Sequence, residues 1–162
     1  MILGKAEILK EIAAGWLKID PFDETAIGMA SIELRLKPEF GFFRESGKMV
    51  DPACVLADSD VVWRRTASQE GPIVAPWPQP NCRVVGKTVE RITLSDGLCG
   101  WVTPKARTAI FGFSLSITTG FIQPGTQNEE LFFLITNTGQ LPLHLRPGIR
   151  ICQLVLSRVG SE

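Results

Sequence analysis

The sequence is poor in metal-binding chemistry. It has one histidine, His144, and four cysteines, Cys54, Cys82, Cys99 and Cys152, none of them in a C-x-x-C pair. Zinc sites draw on closely spaced Cys and His ligands, so this scatter argues against one. The plain reading of the cysteines is reduced, mostly buried, small apolar side chains. Net charge is missing too. Lys plus Arg and Asp plus Glu both number 17, which removes the global field that a nucleic-acid or membrane-surface partner would exploit. No apolar run approaches the ~18 residues of a membrane span, and Met1-Ile2-Leu3 leads into a charged amphipathic segment instead of a signal-peptide core. These absences point to a cytoplasmic protein with neither nucleic acid nor membrane as partner.

What is present fits a single domain over residues 1–162, large enough to bury about two-thirds of its unfolded surface. Lys5 to Ala14 reads as a helix, with Ile8, Leu9, Ile12 and Ala13 on one face and Glu7, Lys10 and Glu11 elsewhere. Gly15 stands where a left-handed cap is needed. Trp16–Asp20 and Ser31–Leu36 alternate apolar and polar residues, as half-buried strands do. A stiff loop is expected from about Ala57 to Asn81, broken by SQEG and PWPQP. Arg83–Ile92, Cys99–Val102, Ser114–Ile122, Glu130–Thr136, Leu141–Leu145 and Ile149–Val155 are the later strand candidates. Many short strands at this spacing indicate an antiparallel β-sandwich or distorted barrel. Leu131–Ile135 is apolar on both faces, as a buried strand is. With the loop tryptophans Trp63, Trp77 and Trp101 it offers more apolar surface than a small monomer exposes, which predicts self-association.

The stretch from Leu98 to Leu156 carries T-T-G-F-I-Q-P-G, then L-I-T-N-T-G, then L-R-P-G-I-R-I-C-Q-L-V-L. Upstream lie I-D-P-F, then A-S-I-E-L-R-L, then a strand pair containing T-V-E and L-S-D-G-L-C-G. In this order the pieces closely resemble the dCTP deaminase and dUTPase superfamily over most of the chain. The resemblance implies a mainly β fold, a dUTPase-like distorted β-barrel or jelly roll (β-clip) with a short N-terminal helix, assembled as a homotrimer. It also implies sites at subunit interfaces that bind a pyrimidine deoxynucleoside triphosphate. Mg2+ is implied only where the triphosphate is bound, and no other cofactor. The zinc-dependent cytidine deaminases are a separate class, excluded by the missing H-x-E and P-C-x-x-C.

Within that pattern the chemical positions are altered. The family's phosphate cradle is G-(R/K)-S-S-x-x-R, where small hydroxyls, backbone N–H groups and two cations hold the phosphates. The matching run is Pro104-Lys105-Ala106-Arg107-Thr108-Ala109-Ile110. Lys105 keeps one charge, and Arg107 brings another in the space of a serine. The competing reading makes both solvated loop charges that matter little to stability. Thr118, Thr119, Gly120 and Gln123 fall in the segment that resembles the base-recognition loop. Thr119 stands where the deaminases have alanine. Gln123 stands where the dUTPases place a water-activating aspartate, and an amide is no general base near neutral pH. Its alternative is a turn residue at a strand end. Gly120 and Gly125 fit a tight approach or a positive φ.

Counting back from Asn137 and Gly139 places Leu134 at the deaminase's catalytic glutamate, or Phe133 if the insertion in GTQNEE is moved. No catalytic residue is therefore assigned. Glu129 and Glu130 lie four to five residues earlier, ~13 Å or more along a strand. Gln153 matches a glutamine that orders the family's site, or else is an amide satisfying buried backbone. His144 reads as an exposed strand position. Three functions follow. One is a catalytically impaired family member of pyrimidine deoxynucleotide metabolism that still binds a nucleotide. Another is an active hydrolase, acting on dCTP by deamination or on dUTP by pyrophosphate release, with relocated groups. The last is a trimeric scaffold or regulator without nucleotide. Fold alone does not choose among them.

Overall fold

Alternating apolar and polar residues, period two, set most of this architecture, because a strand with one apolar face must bury that face against something. The computed structural model describes residues 1–43, 61–67, 70–79, 81–117 and 120–160. A helix, α1 (Lys5–Ala13), leads to β1 (Leu17–Asp20), a 3-10 turn (Glu24–Ala26), β2 (Ile32–Arg35), β3 (Glu39–Phe43), β4 (Val61–Arg65) and β5 (Ile73–Val74). Then come β6 (Arg83–Leu94), β7 (Leu98–Pro104), a one-turn helix α2 (Ala106–Ala109), β8 (Phe113–Ile117), β9 (Phe121–Ile122), β10 (Glu129–Asn137), β11 (Leu143–His144) and β12 (Arg150–Arg158). One sheet runs β4-β3-β6-β10-β8 with β1 also on β6; a second runs β2-β12-β7-β9; β11 and β5 form a small third. The fold is mainly β and dUTPase-like as expected, with sheets that stay open instead of closing into a barrel.

The core lies between the two larger sheets. Leu34 and Leu36 from the β2 side meet Phe40, Phe133 and Ile135 from the other, all fully buried. Polar groups enter it at one corner. β6 alternates along its length, so Thr88 and Glu90 face inward with Val84 and Ile92. Arg35 on β2 answers Glu90 twice, through its backbone N–H at 2.8 Å and its Nε at 2.6 Å. The Thr88 hydroxyl donates to the Glu90 carbonyl at 2.7 Å and accepts the Leu131 N–H at 3.0 Å. That second bond occupies the backbone group left unpaired by the bulge between Glu130 and Phe132. Asn137 does similar service at the far end of β10. Its Nδ2 donates to the carbonyls of Val74 and Leu141, and its Oδ1 accepts the Gly139 N–H.

Helix α1 begins where the Gly4 N–H reaches the Glu7 carboxylate at 2.8 Å. It ends at Gly15, φ +75°, with the paired bonds Gly15 N–H to Ile12 and Trp16 N–H to Glu11 that close a helix in a left-handed residue. The expected faces need one correction: Ala13 is exposed, and Glu11 is buried. Arg158 makes this tolerable by donating to Glu11 through Nη2 at 2.5 Å and Nε at 3.1 Å.

Several other expectations change. The stretch from Ala57 to Asn81 holds two strands, β4 and β5, of which β4 pairs with β3 and β5 with β11. Its residues 57–60, 68, 69 and 80 lie outside the described residues, as does Cys54. Trp63 and Trp101 sit on strands β4 and β7, leaving Trp77 alone among the three in a loop. β10 is buried on one face only. Leu131, Phe133 and Ile135 point inward, whereas Phe132 is 39% exposed and Leu134 partly exposed, because no second layer of this chain covers that face among the described residues. Cys82, Cys99 and Cys152 are free thiols and buried, as the composition suggested.

Replacing Arg35 with Met should destabilise the fold by roughly 3–5 kcal/mol, since it strands the Glu90 carboxylate in the core. Urea denaturation measures this; a loss under about 1 kcal/mol, the scale of an exposed pair, would show that the pair holds nothing.

Candidate functional site

The second sheet brings several of the marked residues onto one face. Glu33 on β2, Gln153 on β12 and Thr103 on β7 are direct cross-strand neighbours, so their side chains project together. Lys105 follows the end of β7, and its Nζ pairs with Glu33 Oε1. Arg150 reaches the other oxygen of Glu33 at 3.1 Å, and extends to Asp23 Oδ2 at 3.2 Å and the Thr25 hydroxyl at 2.6 Å. Ser31 donates to Gln153 Oε1 at 3.3 Å. The Thr103 hydroxyl is buried in this row with no hydrogen-bond partner among the described residues. Beside it on the same face, Trp101 and Phe121 form a tilted aromatic pair with ring centres 5.6 Å apart.

The electrostatics of the row are balanced from within. The Lys105 hydrogen bond holds the Glu33 carboxyl below its ordinary 4.5; partial burial pushes it up, and Arg150 adds to the lowering. Asp23 is likewise held below its ordinary value, first by the Thr25 hydroxyl and backbone N–H, with Arg150 contributing less. Carboxylates held this firmly ionised make weak proton acceptors at neutral pH.

Lys105 is therefore no solvated loop charge. Arg107 lies exposed on α2, a placement that fits either reading. Thr118 and Thr119 lie outside the described residues. Gly120 precedes β9, where its carbonyl accepts the Val102 N–H at 3.1 Å. An added Cβ there would meet nothing within 4 Å, so the expected tight approach is absent at Gly120 and present at Gly125, where φ is +75° and a Cβ would lie 2.7 Å from Asp96 Oδ1. Gln123 is exposed, and its carbonyl accepts from Thr126 through the N–H at 3.4 Å and the hydroxyl at 2.7 Å, the geometry of a turn residue. His144 is exposed on β11.

Leu134 stands apart from these residues, on β10 of the first sheet between Val85 and Ser116. The carboxylate nearest to it along that strand, Glu130, is engaged by Lys37 at 2.5 Å and Arg91 at 3.0 Å. Partial burial pushes the Glu130 carboxyl up, but Lys37, Arg91 and Lys87 together outweigh it and leave it below its ordinary value. Burial, with the Glu90 charge, raises the Cys152 thiol to about 12, which removes it as a nucleophile.

Residues 2–159 match the dCTP deaminase-like family profile. The chain belongs to that family. It is 34% identical over 163 residues to the dCTP deaminase, dUMP-forming, of Mycolicibacterium vanbaalenii, covering 99% of this chain and 82% of the relative. A dCTP deaminase, dUMP-forming, of Parafrankia sp. is 33% identical over 162 residues, covering 99% of this chain and 78% of its own. Among solved structures, the 2'-deoxycytidine 5'-triphosphate deaminase from Agrobacterium tumefaciens superposes with a TM-score of 0.72 at 20% identity. The match takes in 98% of this chain and 48% of that one, so this chain spans about half its length. At that identity the likeness concerns the fold.

Glu33, Arg150, Thr103 and the Trp101–Phe121 pair were not marked from the sequence. Alternation does place Glu33 on the polar face of β2, but its contact with Lys105 and Arg150 depends on the register of three strands.

Because Glu33 is shifted downward, its charged form stabilises the fold fully above its ordinary 4.5, and that contribution drains away as pH falls through the lowered value. Lys105→Met should thus cost on the order of 1 kcal/mol at pH 7. The gap from the parent protein should close below pH 4.5. Urea midpoints across a pH series check this, and a gap that stays constant into acid would disprove the linkage.

Proposed function

We propose that this chain binds a pyrimidine deoxynucleoside triphosphate without deaminating or hydrolysing it, as a sensor or regulator in pyrimidine deoxynucleotide metabolism. The observation that carries this reading is the chemistry at Leu134 and Gln123. An apolar side chain and an amide stand where the resemblance puts the proton-transfer groups, and Glu130 is committed to Lys37 and Arg91. Transfer of a proton needs a group within hydrogen-bond reach and of suitable basicity. Lys105, Arg107, Gly120, Gln123 and Gln153, with Thr118 and Thr119, are the residues assigned to the nucleotide. Mg2+ enters only with the triphosphate. Among the described residues no three His, Cys, Asp or Glu side chains cluster, so phosphate oxygens and water would supply most of its ligands.

Assembly as a homotrimer belongs to the same reading. Lys105 and Gln153 occupy one sheet and Leu134 the other, so neighbouring copies are needed to close a site around one ligand. Ile110 and Phe111, 83% and 64% exposed, supply apolar surface for that contact. No helix among the described residues is long and apolar enough to cross a membrane, and a cytoplasmic location goes with the substrate class. Glu33 supports a second reading, a trimeric scaffold without nucleotide, because it already satisfies Lys105.

Purified protein should release neither ammonia from dCTP nor pyrophosphate from dUTP at enzymatic rates, which lie near 1–1000 per second. Turnover in that range would sink the proposal. In titration calorimetry with dCTP and dUTP plus magnesium, Lys105→Ala and Arg107→Ala should each weaken binding about ten- to a hundredfold, the worth of one charge-assisted contact. Glu33→Gln should tighten it by removing the carboxylate that competes with the phosphates for Lys105. No binding by the parent protein would favour the scaffold.

Light scattering at micromolar concentration should give the mass of three chains. A stable monomer would remove any site that needs two of them.

A further inference from the structure

We propose that β1 is a contact surface on which a second copy of this chain docks, about a two-fold axis passing near Ile19. The segments that build this surface, residues 5–22 and 91–98, are all among the described residues. Alternation along β1 turns Leu17 and Ile19 into the core and Lys18 and Asp20 out to solvent. Two large aromatics flank that pair, Trp16 before the strand and Phe22 after it, 57% and 48% exposed. Beside them runs a groove of about 630 Å³, walled by Ile12 and Phe22 and lined also by Lys18 and Asp20.

Neither charge is answered within its own chain. Lys18 stands across from Thr93 on β6, which carries no charge to offer it. Asp20 stands across from Arg91, but that guanidinium donates to the Asn128 carbonyl at 2.7 Å and to Glu130 at 3.0 Å. Among the described residues no salt bridge or hydrogen bond reaches the side chain of Lys18 or Asp20. Taken along the chain, Trp16, Lys18, Asp20 and Phe22 read aromatic, cation, anion, aromatic. Reversed, that order is its own complement. A second copy running antiparallel sets Lys18 against Asp20 twice. It also brings Trp16 of each copy to the Phe22 end of the other, where the groove has room for a ring. A parallel copy would set Lys18 on Lys18 and Asp20 on Asp20, so charge selects the two-fold arrangement. A contact this small associates weakly and depends on concentration. It is isologous, whereas a three-membered ring joins two different surfaces of each copy, so the contact pairs whole assemblies without competing for ring closure. It uses no residue of the Lys105 row and stands whether or not that row holds a nucleotide.

Sedimentation velocity at low salt, from about 10 µM to about 1 mM, tests this. The basal unit, one chain or three, should double in mass as concentration rises, and about 1 M salt should weaken the pairing by screening it. Lys18→Glu and Asp20→Lys, both at exposed positions and checked by melting curves, should each weaken self-pairing at least about tenfold, since each turns two attractions into two repulsions. Mixed in equal amounts, the two variants should pair again, because each supplies the charge the other lacks. The double exchange Lys18→Asp with Asp20→Lys should also pair, which a mere folding defect at either position would prevent. The proposal is overturned if mass is independent of concentration, if either single variant pairs as the parent does, or if the mixture and the double exchange stay as weak as the single variants.

Discussion

The contact between Arg35 and Glu90 is the constraint on which the two-sheet arrangement depends. Strand β2 belongs to one sheet and β6 to the other, and this pair is where they are joined by charge as well as by packing. Glu90 points inward because β6 keeps a strict alternation for twelve residues, and any break to turn it outward would also expose Val84 and Ile92. The carboxylate must therefore be answered where it stands. Arg35 does so with side chain and backbone together, which fixes the height of β2 against β6 and hence the position of Glu33 two residues earlier. Thr88 carries the same register on to β10 through the Leu131 N–H. Leu134 is three residues further along that strand. Both candidate sites thus take their placement from one buried corner.

That corner explains how much of the molecule could be read in advance. Period-two alternation located β1 and β2, short apolar or alternating runs between turn formers located β6 and β10, and a glycine after an amphipathic run located the end of α1. β4 and β5 were missed because their order comes from partners. Two residues of β5 have no periodicity to show, and β4 lies between segments rich in turn formers. Apolar composition misled for β10, since Phe132 looks like core in a list of residues. In the fold it lies against Trp63, with ring centres 6.0 Å apart, and near Lys87 on an open face. Glu11 misled in the opposite direction. Its burial depends on Arg158, 147 positions away, which no local pattern contains.

The candidate site was legible in its residue types and illegible in its charge balance. Lys105, Gln123 and Gln153 were marked as positions of interest, and Gln123 has the turn geometry of its alternative reading. What the sequence could not convey was that Glu33 sits between two cations. A carboxylate and a lysine 72 residues apart become partners only when β2, β12 and β7 lie side by side.

This arrangement has a consequence for how such a site behaves when empty. A cradle built of cations alone repels itself until a polyanion arrives, so its ordered state depends on the ligand. Here Glu33 neutralises part of that charge from inside the sheet, pairing with both Lys105 and Arg150. A triphosphate would have to compete with Glu33 for Lys105, which lowers its affinity by the strength of the pair it displaces. In the first sheet Leu134 acts in the same direction, giving a neutral floor that packs without a proton partner. Glu33 ties Lys105 and Arg150 into the second sheet and Leu134 packs in the first, within a backbone that keeps the family's fold.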